Sequence, residues 1–438
     1  MTKFLDSVFN LEEHGTDVKT EIIAGLTTFM TMAYIIAVNP SIVSTIDGIG
    51  MQPMIIATAL SAAFATLCMA FLANYPFALA PGMGLNAYFT YTIVLKMGLS
   101  WQQALGAVFI SGLIFLILTL TNIRQMIINA MPMTLKSAVS AGIGLFIAFI
   151  GMQNAEVVIN SDATLVTIGE MTNPSTMLAI LGLIITGLLM AKDFKGSILM
   201  GILTTTLIGI PLGVTKVPST IFKIPSFANW APVFMKADIM GALNEGILTI
   251  VFVFLFVDLF DTTGTLVGVS QQAGFLDEDG ELPRADRALL SDSIGTMAGS
   301  MMGTPTVTTY VESASGVAQG GRTGLTGVVV AICFILSIFF TPIIQIIPSA
   351  ATAPALIIVG SLMLKNIVKI PWDDIAEALP AFVTIIAMPF TYSIATGISL
   401  GFILYPIVKF FHGEGDDLHW MIYVLCVLFI LKYIFLGS

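Results

Sequence analysis

Charge is what this sequence has least of. Of 438 residues only 10% are Asp, Glu, Lys or Arg while 56% are hydrophobic, and the mean hydropathy is +0.96. Soluble domains carry charge on about a quarter of their residues, so this chain cannot cover its apolar side chains with a polar surface and belongs in a bilayer. Cysteine is also scarce. Cys68, Cys333 and Cys426 stand in separate apolar stretches, and an odd number without CxxC spacing excludes a disulfide framework and leaves them as packing residues. The three histidines, His14, His412 and His419, lie outside the apolar runs, which argues against a histidine proton relay. There is no GxxxxGK[ST] loop, so ATP coupling within this chain is not expected. No His/Cys/Asp cluster has metal-ligand spacing, and no metal or cofactor other than a coupling proton is expected. Without a series of intramembrane arginines there is no basis for a voltage sensor. The first 21 residues are mixed in charge, unlike a cleaved signal peptide, and insertion is expected to use the first membrane helix. The net charge of −10 is spread over many short loops and reads as loop solvation, and no nucleic-acid partner is expected.

What is abundant is the apolar run of about 17–22 residues, enough for a helix to cross ~30 Å of hydrocarbon. Such runs predict helices near 22–43, 52–74, 76–97, 101–121, 134–152, 176–191 and 195–213, and, after a loop, near 244–267, 286–302, 306–320, 323–347, 350–366, 374–390 and 392–411, with a further apolar segment at 419–436. With the N-terminus in the cytoplasm, Lys3, Lys19, Arg124, Lys136, Lys192, Lys195, Arg284, Arg287, Arg322, Lys365, Lys369 and Lys409 fall inside, and Lys96, Lys216, Lys223 and Lys236 outside, with Lys432 unassigned. That excess of inner positive charge fits the orientation. Trp101, Trp230, Trp372 and Trp420 fall at predicted helix ends or in loops, as interfacial anchors do. Two groups of seven helices, an odd number, place the second group upside down relative to the first. Glu21 and Glu245 open corresponding helices, and Pro76 and Pro305 precede the third of each group. The expected fold is therefore an all-α polytopic membrane protein of fourteen spans in two inverted seven-helix repeats, 22–213 and 244–411, with a C-terminal hydrophobic segment over 412–438 whose topology the pattern leaves open.

Carboxylates inside a bilayer are costly unless paired or functional, so each is a candidate site. Asp258 and Asp261 sit in FVFLFVDLFDTTGTLVG, where their i, i+3 spacing puts them on one helix face; Glu312 sits in TPTVTTYVESASGVAQGG and Asp292 in RALLSDSIGTMAGSMMG. Each has a blander role open to it, capping or bridging helices, and Asp292 could be solvated near a helix end. The threonines before Glu312 and the small residues after it predict a short extended segment followed by a half-helix. FALA followed by PGMGLN repeats that design in the third helix. Two half-helices meeting near the midplane would aim N-terminal N–H groups into a shared cavity, suited to a carbonyl or an anionic group. Gly82, Gly84 and Asn86 are thus candidates for substrate binding, although glycines there could also serve only close helix packing.

At VDLFDTTGT, TPTVTTYVES and GLTTFMTMAYIIAVNP the chain resembles the nucleobase–cation symporter-2 superfamily, and within it the AzgA-like adenine/guanine/hypoxanthine permeases, most of all bacterial hypoxanthine/guanine permeases, over about residues 15 to 411. The resemblance implies fourteen helices divided into a core domain, 22–121 with 244–347, and a gate domain, 122–213 with 348–411. It implies uptake of a nucleobase with protons across the bacterial inner membrane, no enzymatic chemistry, and relatives that often form homodimers. The family's eighth-helix carboxylate falls on Asp258, its tenth-helix Glu or Gln on Glu312, and a ninth-helix Asp of xanthine carriers on Asp292. A first-helix His of relatives has its place near Thr28, a departure that leaves proton coupling to Asp258, Asp261 and Asp292. Carriers of xanthine or urate follow the tenth-helix residue with Asn, where Ser313 stands here, which points away from those substrates. The expected site has Glu312 accepting ring N–H groups and backbone N–H groups near Gly82 and Ser313 meeting a carbonyl. Hypoxanthine and guanine, with N1–H beside O6, fit that pair, and adenine, with the edge reversed, stays open. An anion carrier of related fold and a membrane channel or receptor are the rival readings.

Overall fold

The computed structural model describes residues 2–121, 131–218, 220–243, 247–277 and 282–435. Arg124 and Glu245, used above, lie outside them. Helices form where the apolar runs lie. In chain order they are α1 (Thr2–Phe9), α2 (Val18–Met32), α3 (Ile35–Val43), α4 (Met51–Cys68), α5 (Met83–Ala87), α6 (Trp101–Thr119), α7 (Met133–Asn154), α8 (Pro174–Ala191), α9 (Ser197–Gly209), α10 (Ile247–Ala273), α11 (Ala285–Met302), α12 (Ser313–Val317), α13 (Gly324–Ser337), α14 (Ser349–Met363), α15 (Ile375–Thr391), α16 (Ile394–His412) and α17 (Trp420–Phe435). Wider π-type turns extend α4 through Met69–Ala73 and α5 through Tyr88–Lys96. Among the described residues nine helical stretches are long and apolar enough to cross a membrane, the first being Val18–Val43, which runs through α2 and α3; Ser197–Gly209, Ile375–Thr391 and Trp420–Leu431 are shorter apolar helices.

Local chemistry sets the helix ends. Asp17 caps α2, accepting from the Lys19 and Thr20 N–H groups, and the Thr20 N–H first of all holds its carboxyl below the usual value. Ser100 and Gln103 form a reciprocal capping box at α6. Asn173 caps α8 ahead of Pro174, whose missing N–H costs nothing at a first helical position. Inside the bundle many hydroxyls bond back to their own helix, as Thr58 does to the Met54 carbonyl and Thr186 to that of Gly182, so they are satisfied without water.

The helices pack in two associations. In one, α11 lies against α4 and α6, and α13 against α2 and α4; in the other, α7 lies against α14 and α15, α8 against α9 and α14, and α15 against α16. The α7–α14 crossing is closed by facing glycines. A Cβ on Gly144 would stand 2.6 Å from the Gly360 carbonyl oxygen, and one on Gly360 would stand 2.3 Å from that of Gly144. The first association is tied across the sequence by Glu21, fully buried, whose carboxylate accepts from the N–H groups of Arg322 (2.8 Å) and Thr326 (3.1 Å) and from the Thr326 hydroxyl (2.6 Å). Of these, the Thr326 N–H is one of the orphan donors in the first turn of α13.

Two departures from a pure helix pattern matter. In the third and tenth apolar runs the first residues are extended, as expected: β1 (Leu79–Pro81) and β4 (Val307–Thr309) pair antiparallel, Leu79 opposite Thr309, Ala80 opposite Thr308 and Pro81 opposite Val307. The loop between α7 and α8, by contrast, holds a hairpin of β2 (Val158–Ser161) and β3 (Leu165–Ile168) that hydropathy alone did not predict. Its strands, four residues each, are too short to register as an apolar run.

Candidate functional site

The β1–β4 pair joins two chain breaks inside the bundle, each followed by a short helix. Its hydrogen bonds extend beyond the strands: the Gly82 N–H donates to Thr306 O at 2.9 Å and the Tyr310 N–H to Ala78 O at 2.9 Å, while the Tyr310 hydroxyl donates to Pro81 O at 2.6 Å. On the far side of β1, Thr66 both donates to Leu79 O and accepts from Leu79 N–H. Extended backbone is tolerated at this depth because each of these groups finds a partner in protein. Gly82 has to be small here, since a Cβ would stand 2.7 Å from the Thr308 methyl.

The acids gather around this pair. Asp258 and Asp292 are fully buried, and Asp261 and Glu312 are partly exposed. Asp258 lies near enough to Asp261 and Asp292 for their charges to interact, and Asp261 near enough to Glu312. Helices α10 and α11 and the α12 start thus bring all four sequence-predicted carboxylates into one region. The Thr296 hydroxyl reaches Asp258 Oδ2 at 3.4 Å and bonds Val307 O at 2.9 Å, while Thr262 on α10 shares a 2.7 Å bond with Thr308. Among the described residues Asp258 Oδ1 and both oxygens of Asp292 have no hydrogen-bond partner, although Thr262 and Thr309 flank Asp292. Among the described residues no group of three or more His, Cys, Asp or Glu is placed to hold a metal ion.

Other polar groups near the breaks are equally unsatisfied. Among the described residues Asn86, fully buried on α5, has neither side-chain amide atom bonded, and the hydroxyls of Thr28, Thr306 and Thr309 are also without partners. A buried polar group left unpaired costs about 1–3 kcal/mol. Thr28 faces α12, where a Cβ on Gly316 would stand 2.1 Å from its hydroxyl oxygen. Gly84 points elsewhere, towards α7, with a Cβ there 2.6 Å from an Ile143 methyl.

The N–H groups singled out in the sequence are in use. Gly82 N–H is bonded to Thr306, Ser313 N–H donates to Tyr310 O at 3.1 Å, and the Ser313 hydroxyl accepts from Ala78 N–H at 3.0 Å. Helix geometry leaves the first-turn N–H groups of α5, from Met83 to Leu85, to meet a ligand, the Asn86 N–H being already bonded to Gly82 O. Tyr34, between α2 and α3, was not singled out by sequence, yet its hydroxyl donates to Glu312 Oε1 at 2.5 Å. The signal was present: a tyrosine in mid-run must find its hydroxyl a partner.

Comparison with known proteins places the chain in a family. Residues 19–400 match the model of the Permease family. The chain belongs to that family. The matched stretch takes in every site residue named above, and the resemblance to the nucleobase–cation symporter-2 group stands; membership makes the chain a multi-pass membrane transporter rather than an enzyme. It is 46% identical to the guanine/hypoxanthine permease PbuG of Bacillus subtilis over 443 residues, covering 99% of this chain and 100% of that one. To the adenine permease AdeP of Escherichia coli it is 43% identical over 434 residues, covering 99% and 97%. Among solved structures, the transmembrane domain of the cyanobacterial bicarbonate transporter BicA superposes with a TM-score of 0.66 at 18% identity, covering 87% of this chain and 96% of that one. That likeness concerns the fold alone.

Proposed function

We propose that the chain takes up purine nucleobases together with protons by alternating access, hypoxanthine or guanine first and adenine as the alternative. The observation that carries this reading is the gathering of Asp258, Asp261, Asp292 and Glu312 around the β1–β4 pair, in a chain whose full-length relatives bear the names of adenine and of guanine/hypoxanthine permeases. A bicarbonate transporter shares the fold, but four gathered carboxylates would repel an anion, which favours a neutral base with N–H donors.

On this reading the fourteen helices form two inverted repeats, 22–213 and 244–411, with the N-terminus in the cytoplasm of a bacterial inner membrane. The core is 22–121 with 244–347 and the gate 122–213 with 348–411, and homodimers are compatible with it. Glu312 accepts the ring N–H, first-turn N–H groups of α5 from Met83 to Leu85 meet O6, and the Asn86 side-chain amide, unbonded among the described residues, supplies a donor and an acceptor. Thr28, Gly82, Gly84 and Ser313 shape the site rather than bond the base. A proton held by the Asp258, Asp261 and Asp292 group neutralises the buried charge before the core moves against the gate. Radiolabelled hypoxanthine uptake in cells lacking their own purine permeases tests this directly. Protonophore-sensitive uptake competed by guanine is expected, and block by adenine alone would reassign the substrate within the same branch.

A further inference from the structure

Tyr34 lies in the two-residue step between α2 and α3 and is 1% exposed. Its hydroxyl is the one side-chain donor to the Glu312 carboxylate among the described residues. From the same segment, Thr31 reaches the Glu312 carbonyl at 3.5 Å, so the first membrane segment holds both the side chain and the backbone of the residue that starts α12. We infer that Tyr34 is the positioning residue that sets which purine edge the site accepts. The inference rests on the reading of Glu312 as the base-binding carboxylate.

A carboxylate has two oxygens, and Tyr34 takes one of them as a donor. That fixes the plane of the group, sets it as an acceptor, and leaves Oε2 for the base. A 6-oxopurine brings N1–H to that oxygen and O6 to the neighbouring N–H donors. Adenine seated in the same pose puts its acceptor N1 at that oxygen and its amino group against the N–H donors, and there it gains only if Glu312 donates, for which a carboxyl already receiving an O–H is badly set. Tyr34 therefore favours the oxo over the amino purine although it need not touch either.

Tyr34→Phe keeps the ring in its packing and removes only the hydroxyl. In cells without their own purine permeases, with membrane protein matched by immunoblot, the variant is expected to raise the hypoxanthine KM about tenfold, the size of one lost oriented hydrogen bond. Vmax is expected to stay within about twofold, and the hypoxanthine-to-adenine uptake ratio to fall. Hypoxanthine binding to the detergent-solubilised protein, read by thermal stabilisation, supplies a double-mutant cycle: on a Glu312→Gln background Tyr34→Phe is expected to add nothing. An unchanged KM, an equal loss for both bases through Vmax, or full additivity with Glu312→Gln would overturn the role of Tyr34. Wild-type protein that takes up neither base, or a Glu312→Gln variant with wild-type uptake, overturns the reading of Glu312 and this inference with it. Wild-type transport lost in Glu312→Gln beside an inert Tyr34→Phe overturns this inference alone.

Discussion

Asn86 and Glu312 are both polar side chains inside an apolar bundle, yet they are held in opposite ways. Glu312 has a donor at 2.5 Å, whereas Asn86 is fully buried with neither amide atom bonded. Removing an unpaired buried amide relieves its desolvation cost, so Asn86→Leu is expected to leave the melting temperature of the solubilised protein unchanged or raised while uptake falls. A drop in both would make Asn86 a packing residue. Glu312→Gln keeps size and loses the anionic acceptor, and uptake efficiency is expected to fall about a hundredfold, the scale of a hydrogen bond to a charged group. The acids were legible in the sequence because intramembrane carboxylates are rare. Tyr34 was legible only as a hydroxyl in need of some partner in the apolar run MAYIIAVNP, because it is the approach of α12, nearly 280 positions away in the chain, that decides which. The partner of the Ser313 hydroxyl was hidden for the same reason, since Ala78 N–H belongs to the other broken segment.

At the scale of elements, run length and composition placed the helices, and the threonine-rich and Pro-Gly stretches placed the two breaks. Hydropathy does not carry the pairing of those breaks into one antiparallel ladder, which needs the register Leu79 to Thr309, nor the hairpin between α7 and α8. The start of α13 hangs on two distant side chains, Glu21 and Asn74, whose Oδ1 accepts from the Gly324 N–H at 2.8 Å. Glu21→Ala would strip the carboxylate from the N–H groups of Arg322 and Thr326 in a buried setting, and a loss of about 2–4 kcal/mol is expected, read as a lower melting temperature and less protein in the membrane. Glu21→Gln retains one acceptor and should lose less. If both variants melt like the wild type, Glu21 adds nothing to the hold on α13.

For the whole molecule, the two packing associations follow from where small residues allow close approach, and the α7–α14 crossing is the tightest test of that. Gly144→Val would drive a side chain into the Gly360 backbone; overpacking of this kind costs about 1–3 kcal/mol, so a fall in folded yield is expected. Gly187, with nothing near its would-be Cβ, should accept Ala without loss. Membership of the Permease family and the shared fold with a bicarbonate transporter leave the cargo to be argued from the site, and the gathered carboxylates argue for a base accompanied by protons. The most direct test is radiolabelled hypoxanthine uptake by wild-type protein, with and without a protonophore, in cells lacking their own purine permeases. Saturable uptake that collapses with the protonophore and is competed by guanine is the predicted result; correctly inserted protein that takes up no purine would contradict the account.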